Sequence, residues 1–366
     1  MQRKRRRRRR RVSAAGVVLL VVMGLIIIAG IWGIIWLLTD PDSGKKKPEP
    51  VTYIETTPTT EPTTEPPTEP PPPVSYPERG ASIIQPGTGL DSEYAILVDY
   101  DNNTVIAEKS SQTRIYPASM TKLMTLIVAI ENIDNYNETF TMTDEIIAPL
   151  YEAHASLAGF KSQEECTMMD LLYGTALSSG ADATTALAIH VAGSEEAFVK
   201  LMNEKVQELG LTDTHFMNAS GLHDENHYST VTDIALIMDY CLQNPLCKRV
   251  ISTYTYTTRV TPQSPEGIKL FSTMFSRMYG TEVEGITILG GKTGFTDEAG
   301  QCLASYAQTL DGRTYIAVTA GGQTKWRPIF DAFKIYGIIT GTYPMDATDV
   351  HTEETENAPT ENRQVQ

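Results

Sequence analysis

The chain has 366 residues, 41% of them hydrophobic and 20% charged, with a formal net charge of −15. It is long enough for one large domain or two small ones, and apolar enough to build a core. Nine of its 30 Lys and Arg residues lie in residues 3–11, which leaves −24 on the remainder. Nucleic-acid binding needs basic residues on a folded face, and here they sit on a tail.

That tail, residues 1–13, precedes "AAGVVLLVVMGLIIIAGIWGIIWLL" at 14–38, a run without a charged residue. At about 1.5 Å per residue the run spans the roughly 30 Å of a bilayer core with room to tilt. Trp32 and Trp36 fall near its outer end, where aromatic belts form. The run is too long for a signal-peptide core and no A-x-A site follows it. The pattern predicts a single-pass cell-membrane anchor with a cytoplasmic N-terminus and the rest of the chain outside. Residues 39–79 form a Pro/Thr/Glu-rich linker containing "TTPTTEPTTEPPTEPPPP". Such a segment has too little apolar surface to fold and should extend as polyproline II, reaching on the order of 120 Å. Residues 343–366 are polar and acidic and are predicted to be disordered.

One domain is expected over 80–342. "YAILVDY", "DNN" and "TVIAE" read as a hairpin. A helix is expected from Ser119 to about Glu131, with Met120, Leu123, Met124, Ile127 and Ile130 at helical spacing. The stretch 140–250 reads as mostly helical. Strands return in "GITILGG", "QCLASYAQT" and "TYIAVTAG", and "RPIFDAFKIYGII" closes as a helix with Pro328 in its first turn. This order predicts an α+β fold, one antiparallel sheet flanked by helices, with an all-helical subdomain. Of the four cysteines, Cys241 and Cys247 are close enough to pair, though the sequence alone leaves the pairing of Cys166, Cys241, Cys247 and Cys302 open. Cys302, in an apolar strand, reads as a buried free thiol.

Three short signals carry chemistry. "YPASMTKLMT" (116–125) puts Ser119 three residues before Lys122. Serine there is also a good helix N-cap. Ser43 and Lys46 show the same spacing in the linker, so the spacing alone decides little. "GGKTGFT" places Lys292, Thr293 and Gly294 at the end of a strand. A lysine there supplies a cation for a carboxylate, a threonine a hydroxyl, and a glycine lets a ligand approach the backbone. Ser179 sits at a Ser-Gly break inside a helical stretch.

Together these resemble the serine penicillin-recognising enzymes, whose motifs run Ser-x-x-Lys, Ser-x-Asn, Lys-Thr-Gly. The wider segments "MMDLLYGTALSSGADATTALA", "FMNASGLHDENHYSTVTDIALI" and "GGKTGFTDEAGQCLAS" resemble D-alanyl-D-alanine carboxypeptidases, the low-molecular-mass penicillin-binding proteins, over about residues 85–340. The resemblance implies the β-lactamase/transpeptidase-like fold, no cofactor and no metal. It implies stem peptides of peptidoglycan as substrates and β-lactams as acylating inhibitors. Residue by residue, it implies Ser119 as acyl-ester nucleophile, Lys122 as general base and Ser179 as proton relay. Lys292, Thr293 and Gly294 would bind the substrate. The backbone N–H groups of Ser119 and Phe295 would form the oxyanion hole. Lys122 must then be neutral, and burial beside the cation Lys292 would push it that way.

One position departs from the pattern: Ala181 stands where the family has Asn, and the chain contains no Ser-x-Asn. Class D β-lactamases look similar in managing with Ser-x-Val, so Ser179 keeps its assignment. Three rival readings remain. A non-catalytic binder of wall peptides has Ala181 in its favour. A β-lactamase of class A type lacks its Glu-x-x-Asn inside the domain. A metal hydrolase would use His223 and His227, but Glu225 is misplaced for His-Glu-x-x-His, so both read as surface-loop histidines.

Overall fold

The computed structural model describes residues 74–84, 89–278 and 283–342. The expected basic tail, membrane span, acidic tail and most of the linker lie outside these residues. Among the described residues no helix is long and apolar enough to cross a membrane.

The elements run in chain order as follows. β1 is Glu78–Ile84, and β2 (Tyr94–Asp99) and β3 (Thr104–Lys109) form the expected hairpin. Its turn is closed by Asp99, which accepts from the Asn102 backbone N–H, and by Asn103 at φ 49°, a conformation Asn tolerates well. A 3-10 turn, Ala118–Thr121, leads into α1, Lys122–Asn132. There follow β4 (Thr139–Thr141), α2 (Asp144–Glu152), β5 (Glu165–Thr167), α3 (Met168–Ala176), α4 (Ala181–Ala192) and α5 (Glu195–Glu208). Next come α6 (Val231–Gln243), α7 (Pro245–Ile251), β6 (Thr255–Thr257) and β7 (Lys269–Phe271). A second 3-10 turn at Phe275–Arg277 precedes β8 (Ile286–Thr296), β9 (Gly300–Thr309), β10 (Thr314–Gly322) and the closing α8, Arg327–Thr340.

The main sheet has the order β1-β3-β2-β10-β9-β8. It is mixed rather than antiparallel, because β1 pairs parallel with β3. The other neighbours pair antiparallel, as expected of strands joined by short turns. β1 arrives from the linker rather than from a hairpin, so no turn dictates its direction. β1 begins at Glu78, two residues ahead of the expected domain start at 80. Pro77 is buried, and the Tyr76 hydroxyl donates to Asp233 Oδ1 at 2.7 Å. The pairs β4–β5 and β6–β7 were not legible, being three residues each.

Side chains alternate across the sheet. Ile96, Val98, Ile316 and Val318 face the central helices, while Leu97, Tyr315 and Ala317 face α8. Central to the first layer is α1, in which every residue from Lys122 to Ile130 is buried. Burying one such Leu or Ile contributes roughly 1.5–3 kcal/mol, and truncating Leu126 to Ala would cost roughly 2–5 kcal/mol. A disulfide joins Cys241 in α6 to Cys247 in α7. Cys166 and Cys302 are free and buried, and burial pushes the Cys302 thiol up to about 12.

Candidate active site

Ser119 does not cap a helix. It lies inside the 3-10 turn, and neither this turn nor α1 has a side-chain cap bond. The turn is forced by Ala118 at φ 46°, directly before Ser119. Gly221, also at positive φ, lies against it: a Cβ there would fall 2.0 Å from the Ala118 carbonyl oxygen. The Ser119 hydroxyl is left half-buried and free to meet Lys122, three residues on. Lys122 Nζ donates to Ser119 Oγ at 3.1 Å and to the Ser220 carbonyl at 2.5 Å.

Lys122 is 2% exposed, and its ammonium is pushed down to about 7. Burial is the cause; Asp182 and Glu195 act in the opposite direction. The like-charge effect falls on the other lysine. Lys292, in β8, is held well below the ordinary lysine range by burial first and then by Lys122 and Arg277. A neutral Lys122 beside a serine hydroxyl is a proton acceptor in place.

A second serine–lysine pair completes the cluster. Ser179 is buried with φ 57°, so its hydroxyl leaves the α3–α4 break toward β8. Lys292 Nζ donates to Ser179 Oγ and to the Thr293 carbonyl, both at 2.9 Å. Thr293 Oγ1 lies 2.7 Å from Thr273 Oγ1, just ahead of the Phe275–Arg277 turn. Arg277, half-buried, adds a cation on this side of Lys292.

β8 is one of the two edge strands of the sheet, and the Ser119 turn packs against it. The contact is at Gly294, where a Cβ would lie 3.0 Å from the Ser119 backbone nitrogen and 3.1 Å from the Pro117 carbonyl. Phe295, the next residue, is 54% exposed at the mouth of this gap. The six predicted positions Ser119, Lys122, Ser179, Lys292, Thr293 and Gly294 thus form one cluster of hydroxyls and amines, with Phe295 at its rim.

Ala181 begins α4 and is 2% exposed; its N–H donates to the Ser156 carbonyl at 2.7 Å. Its methyl offers Lys122 nothing, and the Ser220 carbonyl holds the lysine instead. The next residue, Asp182, accepts N–H bonds from Ala158 (2.8 Å), Gly159 (3.0 Å) and Phe160 (3.2 Å), tying that segment to the Ser179 break. Asp182 was not singled out from the sequence; the Ser220 loop lies in "FMNASGLHDENHYSTVTDIALI", a segment that carried the resemblance, but none of its residues was given a role there. The loop's signal was Asn218 ahead of Gly221: Asn218 Oδ1 accepts from the Ser220, Gly221 and Leu222 N–H groups.

The two histidines separate. His223 is on the surface side, 3.7 Å from Glu298 and edge-on to Tyr116. His227 is not a surface histidine: it is 2% exposed, and both ring nitrogens are occupied by Thr121 and Met217. It has no lone pair free for a metal shared with His223.

Residues 81–324 match the sequence profile of peptidase family S11, the D-alanyl-D-alanine carboxypeptidases. The chain belongs to this family. Among curated relatives, the D-alanyl-D-alanine carboxypeptidase DacF of Bacillus subtilis is 35% identical over 238 residues, covering 64% of this chain and 58% of the relative. The corresponding DacA of Escherichia coli K12 is 33% identical over 246 residues, covering 65% and 58%. This family member therefore spans under two thirds of the length of those relatives. Among solved structures, the Streptomyces K15 DD-transpeptidase superposes with a TM-score of 0.62 at 27% identity, covering 69% of this chain and 98% of that one. Penicillin binding protein 5 of Haemophilus influenzae gives 0.61 at 26% identity, covering 69% and 71%. The family's transpeptidase fold, a mixed sheet flanked by helices, is the one seen here.

Proposed function

We propose that this family member is a serine-type D-alanyl-D-alanine carboxypeptidase acting on peptidoglycan stem peptides. The observation that carries the reading is the meeting of the pairs Ser119–Lys122 and Ser179–Lys292 at the open edge of β8. A peptide laid along that edge brings its terminal D-Ala–D-Ala carbonyl to Ser119 Oγ. Its carboxylate reaches Lys292 and Thr293, with Arg277 behind them. The arriving anion favours the charged form of Lys292, which burial otherwise opposes.

Ser119 Oγ attacks the carbonyl carbon while neutral Lys122 takes its proton. The oxyanion is met by the backbone N–H groups of Ser119 and Phe295. The C–N bond then breaks, and the leaving amine takes a proton through Ser179. D-Alanine departs, leaving an ester on Ser119. Water attacks that ester, with Lys122 again taking the proton, and frees the shortened peptide. A β-lactam enters the same first step, and its ring C–N bond opens in place of the peptide bond. No step calls for a cofactor or a metal.

We further propose that residues 14–38 anchor the protein in the cell membrane, N-terminus inside, with the linker holding the catalytic domain outside. The Cys241–Cys247 disulfide fits an oxidising compartment outside the cytoplasm.

The decisive experiment is labelling with a fluorescent penicillin. Wild type should carry an adduct that Ser119→Ala lacks, and D-alanine should be released from a pentapeptide. An unlabelled wild type, or an equally labelled Ser119→Ala, removes the assignment. A second reading, a peptide binder with weak turnover, is favoured by Ala181. It predicts penicillin acylation and peptide binding without D-alanine release.

A further inference from the structure

His227 occupies a singular place beside this site. It is 2% exposed, and the Phe216 ring stands edge-on to it at 5.4 Å between centroids. Its Nδ1 accepts the Met217 backbone N–H at 3.1 Å. A ring nitrogen that accepts carries no proton, so the neutral ring bears its hydrogen on Nε2. Nε2 lies 2.8 Å from Thr121 Oγ1 and donates to it.

Thr121 closes the turn that holds Ser119 and immediately precedes Lys122. It stands at the N-cap position of α1, where a threonine hydroxyl ordinarily accepts a backbone N–H of the first turn, yet it makes no such bond. That buried hydroxyl is committed to His227. On its other side His227 holds Met217, at the start of the loop whose Ser220 carbonyl fixes Lys122 and whose Ala219 carbonyl accepts from Thr125. One ring thus ties the turn bearing the nucleophile to the loop that holds the base.

Resting on the carboxypeptidase reading above, we propose that His227 is a positioning residue: as a neutral imidazole it latches the Ser119 turn to the 217–222 loop, and its protonation releases the latch. A proton on Nδ1 would face the Met217 N–H, two donors meeting head-on in a buried place, and the acceptor would be lost. The groups around the ring act in both directions. Asp224, on its own loop, favours the charged form. Burial outweighs this, and His215, His223 and Lys122 add like-charge repulsion, holding the ring to about 4.

The test uses the full-length protein. Nitrogen NMR of His227 at pH 7 should report the Nε2–H tautomer. Penicillin acylation of Ser119, followed from pH 3.5 to 8, should fall roughly ten- to a hundred-fold in His227→Ala, the scale of a misplaced nucleophile. His227→Gln, which can accept and donate at the same two places but does not titrate, should recover part of the rate. It should also lack the additional wild-type loss at the acid end. Thr121→Val should lose rate by a similar factor, and the double variant His227→Ala/Thr121→Val should be no worse than either single one. Should His227→Ala fail to fold, Thr121→Val and His227→Gln carry the comparison. An Nδ1–H tautomer, strictly additive losses, or Thr121→Val acylating at the wild-type rate would overturn the latch. A wild type that takes up no penicillin would instead overturn the carboxypeptidase reading. The tautomer and the Thr121–His227 coupling in thermal unfolding would then decide the latch separately.

Discussion

Lys122 Nζ stands between two oxygens, 3.1 Å from the Ser119 hydroxyl and 2.5 Å from the Ser220 carbonyl. The first contact is set by three residues of local chain. The second depends on a loop almost a hundred residues away, and it fixes which way the amine points. In this member of the family the side chain at 181 takes no part in that arrangement.

Activity should follow the titration of Lys122. Penicillin acylation should rise with pH through about 7 and level off above it, because only the neutral amine accepts the Ser119 proton. Lys122→Ala should lower the rate by roughly 10²–10⁴-fold and remove that rising limb. A rate that is flat across pH 6–8 in the wild type would contradict Lys122 as the base.

The same depressed pKa is a statement about stability. The unfolded chain keeps Lys122 protonated up to about 10.5, while the folded chain releases its proton near 7. Between these values the unfolded state binds more protons, so stability from this group rises as pH rises. Compared with Lys122→Met, the wild type should gain in Tm from pH 7 toward pH 10, with its deficit largest below pH 7. A Tm difference between the two that does not change over this window would refute the burial account.

Gly294 is required by its distance from Ser119 rather than by its backbone angles. A Cβ there would fall 3.0 Å from the Ser119 nitrogen, with the Pro117 carbonyl at 3.1 Å. Gly294→Ala should leave the fold intact, since only the edge strand needs to shift. It should lower acylation by roughly a hundred-fold through displacement of the Ser119 turn. Stopped-flow acylation beside a thermal melt separates these effects.

The Cys241–Cys247 disulfide closes a short loop between α6 and α7, with a sequence separation of 6. Reducing it, or Cys241→Ser/Cys247→Ser, should cost about 2 kcal/mol of stability. Acylation by penicillin at 25 °C should remain within two-fold, because neither cysteine contacts the cluster.

What the sequence revealed is divided along these lines. Ser119, Lys122 and the Lys292–Gly294 tripeptide were legible because each group lies within a few residues of local chain. The hairpins and α8 were legible because their alternation and turn residues are local too. Ser220, Asp182, Arg277 and His227 were not, since each reaches the site through tertiary packing. His227 was even read as a surface residue: its loop is polar in sequence, and only the fold buries it. The direction of β1 was hidden for the same reason, because no turn encodes it. The depressed lysine and its burial were foreseen, but the expected second cause was not found on it: the like-charge effect falls on Lys292, while Asp182 and Glu195 act on Lys122.

Ala181 is the position where this chain departs most from the pattern it resembles, and it yields the sharpest prediction. Its methyl is buried at the start of α4, its N–H committed to the Ser156 carbonyl. Ala181→Asn adds a side-chain amide beside the cleft. Overpacking a buried position costs roughly 1–3 kcal/mol, so Tm should fall by several degrees. Against that, the amide adds a hydrogen bond to the peptide backbone, worth about 0.5–1.5 kcal/mol, or roughly two- to ten-fold in kcat/KM for a D-Ala–D-Ala peptide. Penicillin acylation should change less, because Ser119 and Lys122 are already held by the turn and the Ser220 carbonyl. If Ala181→Asn instead raised acylation a hundred-fold, Lys122 would have been poorly placed in the wild type, and the binder reading would gain the advantage. If it lowered both rates together, the space beside Ala181 would belong to the substrate, and this member would have traded the amide for room to admit it.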